Sequence, residues 1–192
     1  MIEAAGSTRT VANAVIVEGF FALMWFSWGQ ERPAAWESIA LTIGAILAVL
    51  VAVGGIVMAR RARREPSSLS EPAAGKRYGI IVGTELASIA VGAAILGATG
   101  YDEFIAAWIC LVVGVHFVPL DRVFPGIGLV GLAAAVVCVA VVAFIVGAST
   151  SVLPSTVTGL GAGACLLGHA AALLVVAARR TPREHTNQGV TA

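Results

Sequence analysis

Six long apolar runs constrain the fold of this chain more than any other feature of its sequence. They lie at about residues 11–29, 38–59, 78–99, 104–120, 127–147 and 155–178. A transmembrane helix needs about 20 predominantly apolar residues, and a helix satisfies its own backbone groups inside lipid. Only 12% of the residues are charged, whereas a soluble domain has about 25%. The sequence therefore predicts an all-α, polytopic integral membrane protein, with six transmembrane helices in one membrane domain at residues 1–192.

The basic residues predict the orientation of these helices. If the helices alternate in direction, eleven of the 12 Lys and Arg residues fall on one side, and only Arg32 falls on the other. Under the positive-inside rule, both termini and the linker at 60–77 are then cytoplasmic. Five aromatic residues near the opposite ends of the helices are typical of an interfacial belt: Trp25, Trp28, Trp36, Tyr101 and Trp108.

The linker at 60–77 is basic and rich in Pro, Ser and Ala, so it is predicted to be solvated and to lack a core of its own. Its first arginines form a candidate binding site for anionic lipid heads: Arg60, Arg61, Arg63 and Arg64. The other connections are short, so consecutive helices are expected to be antiparallel neighbours. The second helices of three hairpins end in similar basic sequences, which indicates a weak three-hairpin repeat. Several glycines have spacings that favour close helix approach: Gly79, Gly83, Gly92, Gly159, Gly163 and Gly168.

Four ionisable residues lie well inside the apolar runs: Glu18, Glu85, His116 and His169. At about 1.5 Å rise per residue, all four lie slightly to the cytoplasmic side of the midplane. A charged side chain facing lipid there costs on the order of 2.5 to 3.5 kcal/mol, so we expect the four to face inward and to pair in a polar cluster. The functional interpretation is a proton relay or a cation site. The alternative is structural hydrogen bonding between helices, which averages only about 0.6 kcal/mol per bond.

The segment from Trp108 to Arg122 combines His116 with Pro119 near the end of a predicted helix. Because proline has no N–H and its ring crowds the preceding turn, Pro119 is expected to distort the helix and to free the carbonyl of Val115. This carbonyl and the His116 ring are predicted to form a polar notch. On the next turn of the same face as Glu85, Ser88 and the small Gly92 favour a close, polar contact with a neighbouring helix.

A metal or haem site is a further hypothesis. His116 and His169 are expected at similar depth, Gly114 and Gly168 leave room for a flat ligand, and Cys165 lies one turn before His169. No metal-binding or nucleophile motif is present, so no cofactor and no enzyme activity are predicted. No basic domain for nucleic acid is present either. The cysteines are predicted to be buried thiols: Cys110, Cys138 and Cys165.

The sequence G-V-H-F-V-P-L at residues 114–120, together with six short helices, resembles small uncharacterised bacterial multi-pass membrane proteins that have a G-x-H-F-x-P-L type motif in a late helix. The resemblance covers about one helix and implies that His116 and Pro119 belong to a family pattern. It brings no activity with it. The richness in Ala, Val, Gly and Arg is typical of a high-GC bacterium, so the expected location is the bacterial inner membrane.

Three functions remain open from the sequence. The leading prediction is a small transporter or proton-linked permease of unknown substrate. The second is a non-catalytic membrane scaffold or accessory subunit in which the intramembrane acids and histidines are structural. The third is an intramembrane metal or haem carrier. The sequence does not indicate the substrate, the coupling ion or the oligomeric state.

Overall fold

The structure is a computed structural model that describes residues 7–65, 69 and 71–187, with side chains as far as residue 179. Every regular element in this part of the chain is helical. The helices are α1 (Thr8–Trp28), α2 (Ala35–Arg61), α3 (Pro72–Thr99), α4 (Ile105–Asp121), α5 (Leu129–Ser149) and α6 (Pro154–Asn187), with a 3₁₀ turn at Asp102–Phe104. All six long helices are apolar enough to cross a membrane, which confirms the predicted number.

The helix ends follow local chemistry that the sequence carries. Ser7 caps α1, because its hydroxyl oxygen accepts a hydrogen bond from the Thr10 N–H at 3.3 Å. Gly100 ends α3 with a φ of 79°, a left-handed conformation that glycine adopts without steric cost. The next N–H, of Tyr101, then donates to the Leu96 carbonyl at 2.8 Å. Such caps satisfy backbone groups that a helix end otherwise leaves unpaired.

The long linker differs from its prediction. Because α2 continues to Arg61 and α3 begins at Pro72, the connection spans residues 62–71 rather than 60–77. It is also tied to the bundle, since Arg9 of α1 donates a hydrogen bond to the Arg63 carbonyl at 3.1 Å. Residues 66–68 and 70 of the predicted linker, and the side chains of two basic residues used for the orientation, lie outside the described residues: Arg180 and Arg183.

The bundle is organised around α1, which packs mainly against α2 and α6. Helices α4, α5 and α6 pack in sequence, so the helices joined by short connections are neighbours as predicted. Helix α3 differs from the others because it packs mainly against α4 and has no buried residue. It is therefore a peripheral helix, and α1 and α3 stand on two sides of a cavity described below.

The predicted close approaches are confirmed at two glycines of α6. A Cβ atom at Gly159 would lie 2.6 Å from the Cα atom of Gly29, and one at Gly163 would lie 2.8 Å from the Phe26 ring. A larger residue at either position would push α6 away from α1. The prediction is wrong at three other glycines, where an added Cβ would meet no heavy atom within 4 Å: Gly79, Gly83 and Gly168.

Candidate functional site

The four ionisable side chains form two Glu–His pairs. Between α1 and α6, the His169 Nδ1 atom lies 2.8 Å from the Glu18 Oε2 atom. Between α3 and α4, the His116 Nδ1 atom lies 3.2 Å from the Glu85 Oε1 atom. Among the described residues, no hydrogen bond or ion pair joins one pair to the other. The inward pairing of the four is thus as expected, whereas a single cluster in which all four touch is wrong.

The first pair supports a buried turn of the backbone. The His169 Nε2 atom lies 2.8 Å from the carbonyl oxygen of Ile127, in the connection between α4 and α5. Ile127 is 1% exposed and is flanked by Gly126 and Gly128, each with a φ of 83°. A non-helical carbonyl buried in a membrane bundle needs a partner from the protein, and His169 supplies it. The sequence interpretation missed this role because it placed Ile127 at the start of the fifth helix.

The hydrogen bonds of His169 set the smallest number of protons that this pair can hold. A carbonyl oxygen only accepts hydrogen bonds, so the Nε2–H group must donate to Ile127. One further proton then lies between Nδ1 and the Glu18 carboxyl group, either as imidazolium with carboxylate or as neutral ring with carboxylic acid. Both arrangements have a net charge of zero. The other carboxyl oxygen of Glu18, Oε1, has no protein partner among the described residues and is not fully enclosed, because every fully buried side-chain N or O atom there has a partner.

The second pair is bonded differently. The His116 Nδ1 atom lies 2.7 Å from the carbonyl oxygen of Val113, so its N–H donates to this oxygen, and Glu85 faces the same nitrogen. The Nε2 atom of His116 has no protein partner among the described residues and is accessible by the same reasoning. The ring can therefore gain or lose a proton at Nε2 without breaking a hydrogen bond to the protein. Of the two histidines, His116 is thus the one whose ring has a nitrogen without a protein partner.

The seam between α3 and α4 holds this pair in place. The Trp108 Nε1–H donates to the Ser88 carbonyl at 3.1 Å, and the indole ring packs directly against Gly92. A side chain at Gly92 would collide with that ring. The close approach predicted at Gly92 is thereby confirmed, whereas the Ser88 hydroxyl donates within α3, to the Thr84 carbonyl at 2.8 Å.

The His116 ring has a different acceptor from the carbonyl that Pro119 frees. The His116 ring bonds to the carbonyl of Val113, one turn earlier in the helix, and not to that of Val115. Helix α4 also continues through Pro119 as far as Asp121, so the proline lies inside the last turn. A carbonyl three residues before the histidine is within reach of its ring without any distortion of the helix.

A cavity of about 770 Å³ lies between α1, α3 and α4. It extends along α1 from Thr10 to Trp28, which corresponds to about 27 Å at the helical rise. Glu18, Glu85 and His116 are among its lining residues. The cavity opens sideways on the surface of the bundle, since the lining residues Phe20 and Leu86 are 53% and 60% exposed. The glutamate of each pair thus lines the same apolar cavity.

The geometry of the two pairs gives little support to the metal hypothesis. Both ring nitrogens of His169 are hydrogen-bonded to the protein, and the described residues contain no group of three or more His, Cys, Asp or Glu residues that could hold a metal ion. The expected space beside Gly114 is filled by Val137 of α5, 2.8 Å from an added Cβ. Cys110 is buried and Cys165 is half-buried, but the prediction of a buried thiol is wrong for Cys138, which is exposed.

Comparisons with protein-family models, with curated proteins and with solved structures found no match to this chain. The resemblance of residues 114–120 to a bacterial membrane-protein motif stays a prediction. The functional argument therefore depends on the chemistry of the two Glu–His pairs and of the cavity.

Proposed function

We propose that this chain is a multi-pass protein of a bacterial cytoplasmic membrane and acts as a small proton-linked transporter. The observation that carries the proposal is the accessible Glu85–His116 pair in the wall of a cavity nearly as long as a bilayer is thick. Carboxylate and imidazole groups are the side chains that exchange protons inside membranes. In this proposal the pair holds a proton, and the substrate occupies the cavity.

The two pairs have different roles in this mechanism. Glu85 and His116 exchange the proton, because the accessible Nε2 atom gives the ring a second protonation site. His169 keeps the Ile127 carbonyl satisfied and holds Glu18 in place. Glu18 contributes its accessible carboxyl oxygen to the cavity opposite α3.

The peripheral position of α3 offers a route for the substrate. This helix carries Glu85 and packs mainly against α4. A movement of one weakly packed helix can change the access to a site without repacking the whole bundle. We therefore assign the change of access during transport to a displacement of α3 relative to α1.

The proposed orientation places both termini and the 62–71 connection in the cytoplasm, on the basis of the basic residues. The hydrogen bond from Arg9 to the Arg63 carbonyl is consistent with this, because it brings the first basic residue of α1 next to the basic end of α2. Four exposed arginines there are proposed to bind anionic lipid heads: Arg60, Arg61, Arg63 and Arg64.

A membrane scaffold or accessory subunit is the second candidate function. The bonding of His169 favours it, since both ring nitrogens have protein partners and serve the packing of α1, α6 and a buried turn. If the Glu85–His116 pair also served only to fasten α3 to α4, the whole set would be structural. No comparable observation favours a metal or haem carrier.

The test is a flux measurement with purified protein in liposomes. An imposed pH gradient drives the transport of candidate ions and solutes, and a trapped dye reports the internal pH. Glu85→Gln retains the shape of the side chain but cannot release a proton, so flux should be lost while the melting temperature stays close to that of the wild type. Glu103→Gln is the matched control, because Glu103 is exposed and outside the cavity; it should retain flux.

Two results would contradict the proposal. Unchanged pH-dependent flux in Glu85→Gln would remove this residue from the proton pathway. Absence of flux in the wild type for every solute tested would make the scaffold the better account of the structure.

A further inference from the structure

The size and the position of the cavity restrict what can occupy it. Its volume of about 770 Å³ lies within the range of small-molecule sites, roughly 300–1,000 Å³. Its sideways opening at Phe20 and Leu86 faces the region that lipid would fill around the bundle. A ligand that enters there must be soluble in a bilayer. The walls are predominantly apolar, so the body of the ligand is apolar as well.

The charges in the walls indicate the sign of the ligand. Two carboxyl groups, of Glu18 and Glu85, line the cavity, and its lining among the described residues includes no Lys or Arg. The Glu18–His169 pair has a net charge of zero when it holds the protons that its hydrogen bonds need, and a further proton would leave an uncompensated positive charge inside the bundle. The Glu85–His116 pair has a net charge of −1 once it loses its exchangeable proton. A monovalent cation restores the neutrality of the cavity, whereas an anion would add a second negative charge.

Aromatic side chains are concentrated around the same space. Seven of the thirteen Phe, Trp and Tyr residues of the chain line the cavity, and they include Phe20, Phe21, Trp25 and Tyr78. The faces of aromatic rings attract organic cations, and the attraction is stronger where the cation is desolvated. Aromatic rings beside carboxyl groups favour a bulky, weakly hydrated organic cation over a small inorganic ion.

We propose that the cavity binds a lipophilic monovalent organic cation, which enters from the bilayer and replaces one proton at the Glu85–His116 pair. This substrate class rests on the proposed function as a proton-linked transporter. In the empty state the pair holds the proton and is neutral; in the loaded state Glu85 is a carboxylate, the ring is neutral, and the cation balances the charge. One cation enters and one proton leaves to water, so the exchange conserves charge within the cavity.

The experiment compares two ions of nearly the same size and shape but of opposite charge. Tetraphenylphosphonium and tetraphenylborate are titrated into the purified full-length chain in a neutral detergent, and binding is measured by calorimetry in buffers of different ionisation enthalpy. The phosphonium ion should bind with release of about one proton per ion. The borate ion should not bind at concentrations that saturate the protein with the phosphonium. This comparison uses the wild type and is independent of the folding of any variant.

Two variants then test whether Glu85 supplies the negative charge that balances the bound cation. Glu85→Gln should weaken phosphonium binding at least tenfold and abolish the proton release, and Glu103→Gln should change neither. Equal binding of both ions would overturn the proposal and indicate an apolar pocket for neutral lipid-soluble molecules. Phosphonium binding that is unchanged in Glu85→Gln, or that releases no proton, would overturn it as well.

The proposed function and this inference fail in different experiments. If the phosphonium does not bind but a Glu85-dependent flux of another solute is measured in liposomes, the transporter stands and the substrate class is wrong. If the phosphonium binds with proton release but no flux occurs, the cation site stands and transport is wrong.

Discussion

Replacement of His169 by alanine tests the structural role of the first Glu–His pair. The ring makes two hydrogen bonds of 2.8 Å, to Glu18 on α1 and to the Ile127 carbonyl between α4 and α5. Its loss leaves the carboxyl group of Glu18, a residue that is 4% exposed, and the buried Ile127 carbonyl without their partner. The ring is therefore expected to stabilise the bundle through the groups that it satisfies on both sides.

The expected loss in the free energy of unfolding follows from the partners that Glu18 and the Ile127 carbonyl lose. Breaking a buried pair by removal of one member costs about 3–5 kcal/mol, and an unsatisfied buried carbonyl costs about 1–3 kcal/mol. Because Glu18 retains access to the cavity through one oxygen, we expect the lower part of the summed range, about 4–5 kcal/mol in total for His169→Ala. Glu18→Gln keeps an amide that can donate to Nδ1 and leaves the bond to Ile127 intact, so it should cost only about 1 kcal/mol.

The assay is the free energy of unfolding in mixed micelles, measured by circular dichroism for the wild type, both single variants and the double variant. The double variant should lose about 1–2 kcal/mol less than the sum of the singles, because residues that share an interaction are not additive. His116→Ala is the matched control: its ring holds no turn of the backbone, and its partner Glu85 is more exposed than Glu18, so it should cost less than His169→Ala. Additivity within about 0.5 kcal/mol, or equal costs for both histidines, would refute the reasoning.

Two further predictions concern packing and orientation. Gly163→Leu should lower the melting temperature and the folded yield in detergent, because its side chain would collide with the Phe26 ring, whereas Gly168→Leu should leave both close to wild type; equal losses for the two variants would contradict the assigned helix faces. Reporter fusions after Arg64 should report the cytoplasm and a fusion near Arg32 the outside, and the reverse result would invert the proposed orientation.

The six helices and the inward position of the ionisable residues could be predicted because both depend on the cost of exposing polar groups to lipid. The partners could not be predicted, since depth fixes only the level of a residue along the membrane normal. The sequence predicts similar levels for Glu18, Glu85, His116 and His169, but the structure pairs α1 with α6 and α3 with α4. The peripheral position of α3 could not be predicted from the sequence either, because its apolar residues are distributed around the whole helix.

The role of Ile127 was missed for a different reason. An isoleucine before an apolar run is typical of the first turn of a helix, so the hydrophobic pattern predicted Ile127 to lie in the fifth helix. The signal lay in its neighbours: Pro125, Gly126 and Gly128 favour a turn, and two left-handed glycines turn the Ile127 carbonyl toward α6. The presence of His169 on a helix far along the chain then explains how a turn can remain buried.

The two pairs contain the same residue types, and the second nitrogen of each histidine decides what the pair can do. In His169 both nitrogens are bonded, so loss of a proton would cost a hydrogen bond to Glu18 or to the buried turn, and gain of a proton at Glu18 would leave an uncompensated imidazolium inside the bundle. In His116 both protein contacts involve Nδ1, and Nε2 is accessible, so a proton can come and go while the contact with Val113 persists. In the proposed mechanism, proton exchange is therefore assigned to the seam between α3 and α4, where a cation in the cavity would compete with the proton.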